Sequence, residues 1–156
     1  MDGRVRPAEQ RDLPPLAEIE QSGEAMFAGH GIVFPPGPMV IEALIRHRAD
    51  ICVIGDPPLG FAGVIELDGH PHLEQISVHA DHCGQGLGSR LLGDVAASGM
   101  TLITFRDIPW NGPWYAKHGF TGFPEDQWGP ELAGHWRAEI AAGLHFLGPR
   151  LVMRYA

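Results

Sequence analysis

"HPHLEQISVHADHCGQGLGSRLL", His70 to Leu92, decides how the rest of the chain is read. Its first part is β-rich, its middle packs Gly84, Gly86 and Gly88 into five positions, and its end runs into a leucine-bearing helical pattern. Strict alternation slips inside the strand: Leu73 falls in odd register, whereas Ile76 and Val78 fall in even register. A β-bulge near Glu74 and Gln75 would absorb that slip, and bulges splay a strand from its neighbour and gather beside active sites. A strand, a glycine-rich loop and a helix start also bring several backbone N–H groups and the positive end of the helix dipole to one point, which is an anion site. The stretch is therefore read as a phosphate cradle.

Spacing narrows the ligand. GxxxxGK[ST] is absent, so a P-loop is rejected. Gly84 and Gly86 start a G-x-G, but Ser89 stands where a dinucleotide fingerprint needs its third glycine, although Asp107 does lie about 20 residues on. That fingerprint belongs after a first strand with further βα units behind it, whereas here a meander comes first and a single βα-like unit follows. A glycine-rich connector without a ligand is the plain alternative.

Outward from this stretch, "GRVRPA" reads as a first strand. Asp12 is offered as the N-cap of a helix from about Leu13 to Met26, and a proline-rich loop follows from Gly29 to Pro38. Val40, Ile41, Leu44 and Ile45 recur at helical spacing through about Ala49. "ICVIGD", "LGFAGVIEL" and "HPHLEQISVH" form a three-strand meander. After the glycines a helix runs to about Ser98, then the strand "TLITF", a short helix in "NGPWYAKHGF" closed by Gly119, and a strand from Phe120 to Phe123. Leu132, Trp136 and Ile140 mark a helix from about Pro130 to Gly143, and "PRLVMRYA" supplies the last strand.

The 156 residues suit one domain spanning 1–156, large enough to bury a core. Lysine and arginine number 11 against 19 acids, a formal charge of −8. Such a surface repels phosphate backbones and anionic lipid, so neither nucleic acid nor membrane is expected as partner, and a cationic small partner is favoured. "MDGRVRPAEQRDL" holds no apolar signal-peptide core and no segment approaches a membrane span, which sets a cytoplasmic expectation. Cys52 and Cys83 lack CxxC spacing and are expected as reduced thiols, Cys52 as a buried strand residue. His79, His82 and Cys83 invite a metal reading, but no second cluster at ligand spacing accompanies them, so no metal is expected.

In its order of elements the chain resembles, over nearly its whole length, the GNAT superfamily of N-acetyltransferases. "ISVHADHCGQGLGSRLL" is similar to the family's pyrophosphate motif, Q/R-x-x-G-x-G/A, falling here on Cys83, Gly84, Gln85, Gly86, Leu87 and Gly88. "PWNGPWYAKHGF" is similar to a second motif in which a tyrosine precedes a Gly-Phe pair. The resemblance implies an α/β (α+β) fold: a central mixed, mostly antiparallel sheet with a splayed, bulged strand pair and flanking helices. It implies acetyl-CoA as cosubstrate, with Cys83, Gly84, Gln85, Gly86, Gly88 and Ser89 at the diphosphate and the backbone of Ile76, Ser77 and Val78 pairing with the pantetheine arm.

An amine attacks a thioester only when neutral, so a group must take its proton, often through water. Glu74 and His72 are the candidates, each equally readable as a solvated strand-edge carboxylate and an exposed turn histidine. A strand N–H near Val78 would meet the carbonyl oxygen as it gains charge. Tyr115 matches the family's general acid, against a core tyrosine beside Trp114. Asn111 either helps hold the cofactor or caps a helix. Cys83 departs from the pattern's Gln or Arg; a thiol contacts phosphate weakly, and at a helix N-terminus it would have a lowered pKa.

Trp110, Trp114, Trp128 and Trp136 offer acceptor-pocket or core aromatics. The acceptor, a small-molecule or peptide amine, would be shaped by about Leu13 to Ala49, where Glu20, Glu24 and Glu42 hint at a cation. A homodimer is a common state of the proteins resembled. The expected activity is acetyl transfer to a primary amine by direct attack in a ternary complex; the alternative is a non-catalytic acyl-CoA binding or sensing domain with the same fold.

Overall fold

The computed structural model describes residues 3–156; Met1 and Asp2, the first residues of "MDGRVRPAEQRDL", lie outside the described residues. β1 (Val5–Pro7) leads through a 3-10 turn at Gln10–Asp12 into α1 (Leu16–Ser22) and α2 (Glu24–Ala28), followed by α3 (Val40–Arg46). The meander is β2 (Asp50–Ile54), β3 (Gly60–Leu67) and β4 (His70–Val78). Beyond the glycines come α4 (Leu87–Val95), β5 (Thr101–Phe105), α5 (Gly112–Lys117) and β6 (Phe120–Gly122). α6 (Pro130–Ala141) and β7 (Arg150–Tyr155) complete the chain. The strands form one sheet in the order β1-β2-β3-β4-β5-β7-β6, with every neighbour antiparallel except β4 and β5. No helix among the described residues is long and apolar enough to cross a membrane.

The single helix expected over Leu13 to Met26 is two short ones, and its expected cap is not a cap. Ser22 Oγ donates back to the Ile19 carbonyl at 2.7 Å, a local bond that competes with helix continuation, and the chain turns at Gly23 before restarting. Asp12 is buried at 1% exposure, where its carboxylate accepts two guanidinium N–H bonds from Arg6, at 2.6 and 2.9 Å, and the Glu9 amide at 2.8 Å. Arg6 also donates to the Gly55 carbonyl, so this pair clamps β1 and the turn before α1 onto the end of β2. Glu20 is likewise used internally: its carboxylate accepts the Val40 and Ile41 amides at the start of α3, which removes it from the carboxylates read as a hint of a cationic partner.

The two sheet faces are covered differently. On one, Leu87, Leu91 and Leu92 of α4 and Tyr115 of α5 pack against Ile54, Ala62, Leu73, Leu102 and Met153. On the other, Leu16, Ile19, Ile41 and Leu44 pack on Val53 and Phe61. α6 lies over this second face too, anchored by an exchange in which Asp68 caps it by accepting the Glu131 and Leu132 amides while the Glu131 carboxylate accepts the Asp68 amide. The stripe Leu132, Trp136, Ile140 is not its inner face. Ile140 is exposed, Trp136 packs at a tilt on Trp128 and edge-on to His145, and the side toward the sheet carries Leu132, His135 and Glu139.

The Asp12 carboxyl is held at about 2, chiefly by its hydrogen bonds from Arg6, against burial, which acts in the opposite sense. The unfolded chain therefore takes up this proton first, so the stabilisation is complete above about pH 4 and is lost as pH falls toward 2. Asp12→Asn should lower Tm at neutral pH and make Tm less sensitive to acid between those limits. An acid profile identical to that of the parent would contradict the clamp.

Candidate functional site

The register shift sits where the sequence slipped. Gly63 pairs with Gln75 and Val64 with Leu73, which leaves Glu74 as the extra residue of β4. Side chains before and after it consequently change face: Leu73, Ile76 and Val78 all meet the α4 core, while His72 turns to the opposite side. β4 and β5 pair only at His72 with Thr101 and Leu73 with Leu102. Beyond that, Ile103 to Phe105 pair with β7 alone. Past the bulge the two parallel strands are therefore parted.

The parted edge presents backbone. The His79 amide donates to the Leu59 carbonyl at 2.8 Å, so antiparallel alternation turns the main chain of Ser77 toward β3 and that of Ile76 and Val78 toward the gap. Ser77 contributes its hydroxyl instead to Gln75, whose amide nitrogen donates to it at 2.6 Å. Across the gap, the Asn111 side-chain oxygen accepts from Thr104 Oγ1 at 2.7 Å and from the Phe105 amide at 3.4 Å. Asn111 thus ties the end of β5 to α5, and no side-chain cap bond forms at that helix.

At the mouth of the gap lies the glycine loop. A 3-10 turn at Ala80–His82 is fastened to α1 by the Ala80 amide donating to Ser22 Oγ. Gly84 and Gly86 then both adopt φ +82°, which an L side chain rarely adopts, and the space above each is open. Gly86 precedes α4 with no side chain capping it, so the first amides of that helix face outward. Gly88, in the first turn, lies beside Trp114 and Val78. Ser89 Oγ is 3.0 Å from His118 Nε2, which couples the start of α4 to the end of α5.

Cys83 corrects one expectation. It stands four residues before the helix, its thiol turned back to the Val78 and His79 carbonyls at 3.8 and 3.7 Å, and desolvation raises its pKa rather than lowering it. Burial also pushes the Cys52 thiol up, to about 11, which leaves it an inert strand residue. Tyr115 is 8% exposed, packed edge-on to Trp114 and Phe120; burial raises its pKa, so its hydroxyl keeps its proton at neutral pH. Trp110 joins Phe27, Phe34 and Phe105 in an aromatic cluster at the end of β5.

On the opposite face the bulge carries a polar cluster. Glu74 Oε2 is 2.8 Å from His135 Nε2 and 3.5 Å from His72 Nε2. His72, 1% exposed rather than on a turn surface, has its Nδ1 2.8 Å from Thr101 Oγ1. Glu139 lies 3.5 Å from His135 Nε2 and is bound by Arg150, whose guanidinium stacks over Phe105. Burial would raise Glu74, but the His135 hydrogen bond, with the charges of His135, His72 and Arg150, brings it below its ordinary value. His135 is raised by the same bond, while desolvation lowers His72 to about 4 and keeps it neutral.

His135, Glu139, Arg150 and His118 were not singled out from sequence. The i, i+4 spacing of His135 and Glu139 was the available signal, hidden by the apolar Leu132, Trp136, Ile140 pattern on the same helix.

Residues 47–122 match the acetyltransferase (GNAT) domain family. That stretch is 76 of the 156 residues, and over it the chain is similar to GNAT acetyltransferase domains. The match runs from the end of α3 to β6, so α1, α2 and α6 lie outside it. A GNAT-family acetyltransferase from Staphylococcus aureus Mu50 shares the fold with a TM-score of 0.68 at 16% identity over 97% of each chain. PaiA N-acetyltransferase from Thermoplasma acidophilum, solved with coenzyme A, aligns at TM-score 0.62 and 14% identity over 97% of each chain. N-acetylglutamate synthase from Neisseria gonorrhoeae, solved with coenzyme A and N-acetyl-glutamate, aligns at TM-score 0.68 and 17% identity over 97% of this chain. The present chain spans about a third of that enzyme, 34% of its length. The splayed pair of β4 and β5 is the feature on which an acyltransferase reading of this site rests.

Because the His135 bond contributes most to lowering Glu74, His135→Ala should move the Glu74 carboxyl midpoint upward in an NMR titration of side-chain-labelled protein. An unmoved midpoint would show that the contact does not hold the carboxylate.

Proposed function

We propose that this domain transfers the acetyl group of acetyl-CoA to a primary amine by direct attack in a ternary complex. The observation that carries the reading is the parted β4–β5 edge opening onto an uncapped, glycine-lined helix start. The outward amides from Gly84 to Ser89 suit a diphosphate, since positive φ and open space at Gly84 and Gly86 let an anion approach the backbone. Ile76 and Val78 have amide and carbonyl groups free for an extended amide-bearing arm in the place β5 leaves. Two of the structural relatives were solved with coenzyme A, which supports the same ligand here.

Each remaining role follows from position and charge. Glu74 accepts the amine proton, directly or through water: it is ionised, sits at the bulge, and is partly exposed. His72 is fully buried where the strands still pair, and its low basicity suits it to orient Glu74. The Val78 amide meets the carbonyl oxygen as negative charge builds there. Tyr115, protonated at neutral pH, donates a proton to the departing thiolate of the coenzyme, so the products are the acetamide and the free thiol. Asn111 acts by holding the β5 edge open rather than by touching the coenzyme.

The test is thiol release from acetyl-CoA with a panel of amines, peptides and aminoglycosides. Turnover is expected for at least one amine, with Tyr115→Phe lowering kcat by about a hundredfold or more while the Kd for CoA is kept. Gly86→Val should instead weaken CoA binding, through its left-handed backbone and the side chain placed in the anion's path. CoA binding without thiol release from any amine, and with no effect of Tyr115→Phe, would favour the non-catalytic acyl-CoA sensor.

A further inference from the structure

We propose that His72, Glu74 and His135 form a site for one divalent transition-metal ion of the zinc class, on the sheet face opposite the glycine loop. Three potential ligand atoms, one from each residue, lie within 4.8 Å of one another. Two of the separations are known by atom: 3.5 Å from His72 Nε2 to Glu74 Oε2, and 2.8 Å from His135 Nε2 to the same oxygen. Zinc bound tetrahedrally at about 2.0–2.1 Å places neighbouring ligand atoms about 3.3 Å apart, so these edges need changes of only about half an ångström. Two imidazoles with one carboxylate select zinc, cobalt, nickel, copper or iron over magnesium and calcium, which prefer oxygen alone.

His72 has the second hydrogen-bond partner that a metal-binding histidine needs. His72 Nδ1 is hydrogen-bonded to Thr101 Oγ1; with Nδ1–H donating there, Nε2 faces Glu74 with its lone pair. Both β4 residues are fixed by the sheet, His72 by pairing with Thr101 and Glu74 by the bulge. His135 comes from a helix held at one end by its Asp68 cap and at the other by the Glu139–Arg150 ion pair. Three ligands on two braced elements leave a fourth position for water or an exogenous ligand, the composition of an open rather than a closed zinc site. The histidines and cysteine beside the glycine loop do not make a rival site, since the Cys83 thiol is turned to backbone carbonyls. A bound ion would occupy the Glu74 oxygens, so it would suppress acetyl transfer; that consequence, unlike the site itself, rests on Glu74 as proton acceptor.

The test uses the full chain, stripped with chelator and then titrated with zinc chloride by calorimetry and with cobalt chloride by visible absorption. Expected are one zinc per chain and the intense visible bands of four-coordinate cobalt. His135→Ala and His135→Gln should each abolish both, with the fold checked by circular dichroism. Thr101→Val should weaken zinc by about tenfold through the loss of the histidine's orienting partner. Cys83→Ser and His79→Ala should leave affinity unchanged. Absence of binding by the parent chain, or binding that survives both His135 variants, would overturn the site. Because no turnover is measured, a protein that binds zinc as described yet acetylates nothing upholds the site and contradicts only the acetyl-transfer reading.

Discussion

One extra residue in one strand is the constraint on which the molecule depends. Glu74 has no partner on β3, so the side-chain phase of β4 changes across it and the strand bends away from β5. Were Glu74 paired in regular alternation instead of bulged, Ile76 and Val78 would point toward the α1 face and leave the α4 core unfilled. With it, hydrophobic burial and an open strand edge coexist: apolar side chains of Ile76 and Val78 pack under α4 while their main-chain groups remain unpaired on the β5 side. An exposed edge of this kind invites another extended chain, and here the loop and helix start limit what can approach it.

The bulge also separates two chemistries across the sheet. On the α4 side lie the glycine loop, Trp114 and Tyr115, an environment of backbone donors and buried aromatic rings. On the α6 side lie His72, Glu74, His135, Glu139 and Arg150, a chain of charged contacts running from β4 through α6 to β7. Desolvation acts on His72, Glu74, His135 and Glu139, and for the two histidines the outcome differs with the partner: His72, 3.5 Å from the Glu74 carboxylate, is held neutral, whereas His135, hydrogen-bonded to Glu74, gains basicity. α6 matters to this site because its Asp68 and Arg150 anchors fix His135 over the bulge.

Much of this was legible in the residues between 70 and 92. The change from odd to even register placed the bulge near Glu74 and Gln75, because a phase slip is a local property that survives in sequence. The glycine spacing gave the loop for the same reason, since positive φ constrains residue type at single positions. What failed to show were contacts across long separations. Asp12 has the chemistry of a helix cap, and only the proximity of Arg6 on β1 turns it inward. Glu20 looks like a surface acid until α3 folds back and presents two amides to it. His135 and Glu139 sit on a helix whose apolar residues suggested a different inner face, and only the position of α6 over β4 reveals their use.

The most direct measurement is residue-resolved amide hydrogen exchange along β4, with and without saturating coenzyme A. The parted edge requires that the Ser77 amide, paired with β3, be protected in both states, and that the Ile76 and Val78 amides exchange rapidly in the free protein and become protected when the coenzyme is added. Ile76 and Val78 amides already as protected as Ser77 without ligand, or unaffected by it, would mean that β4 is closed against β5 and that nothing enters between them.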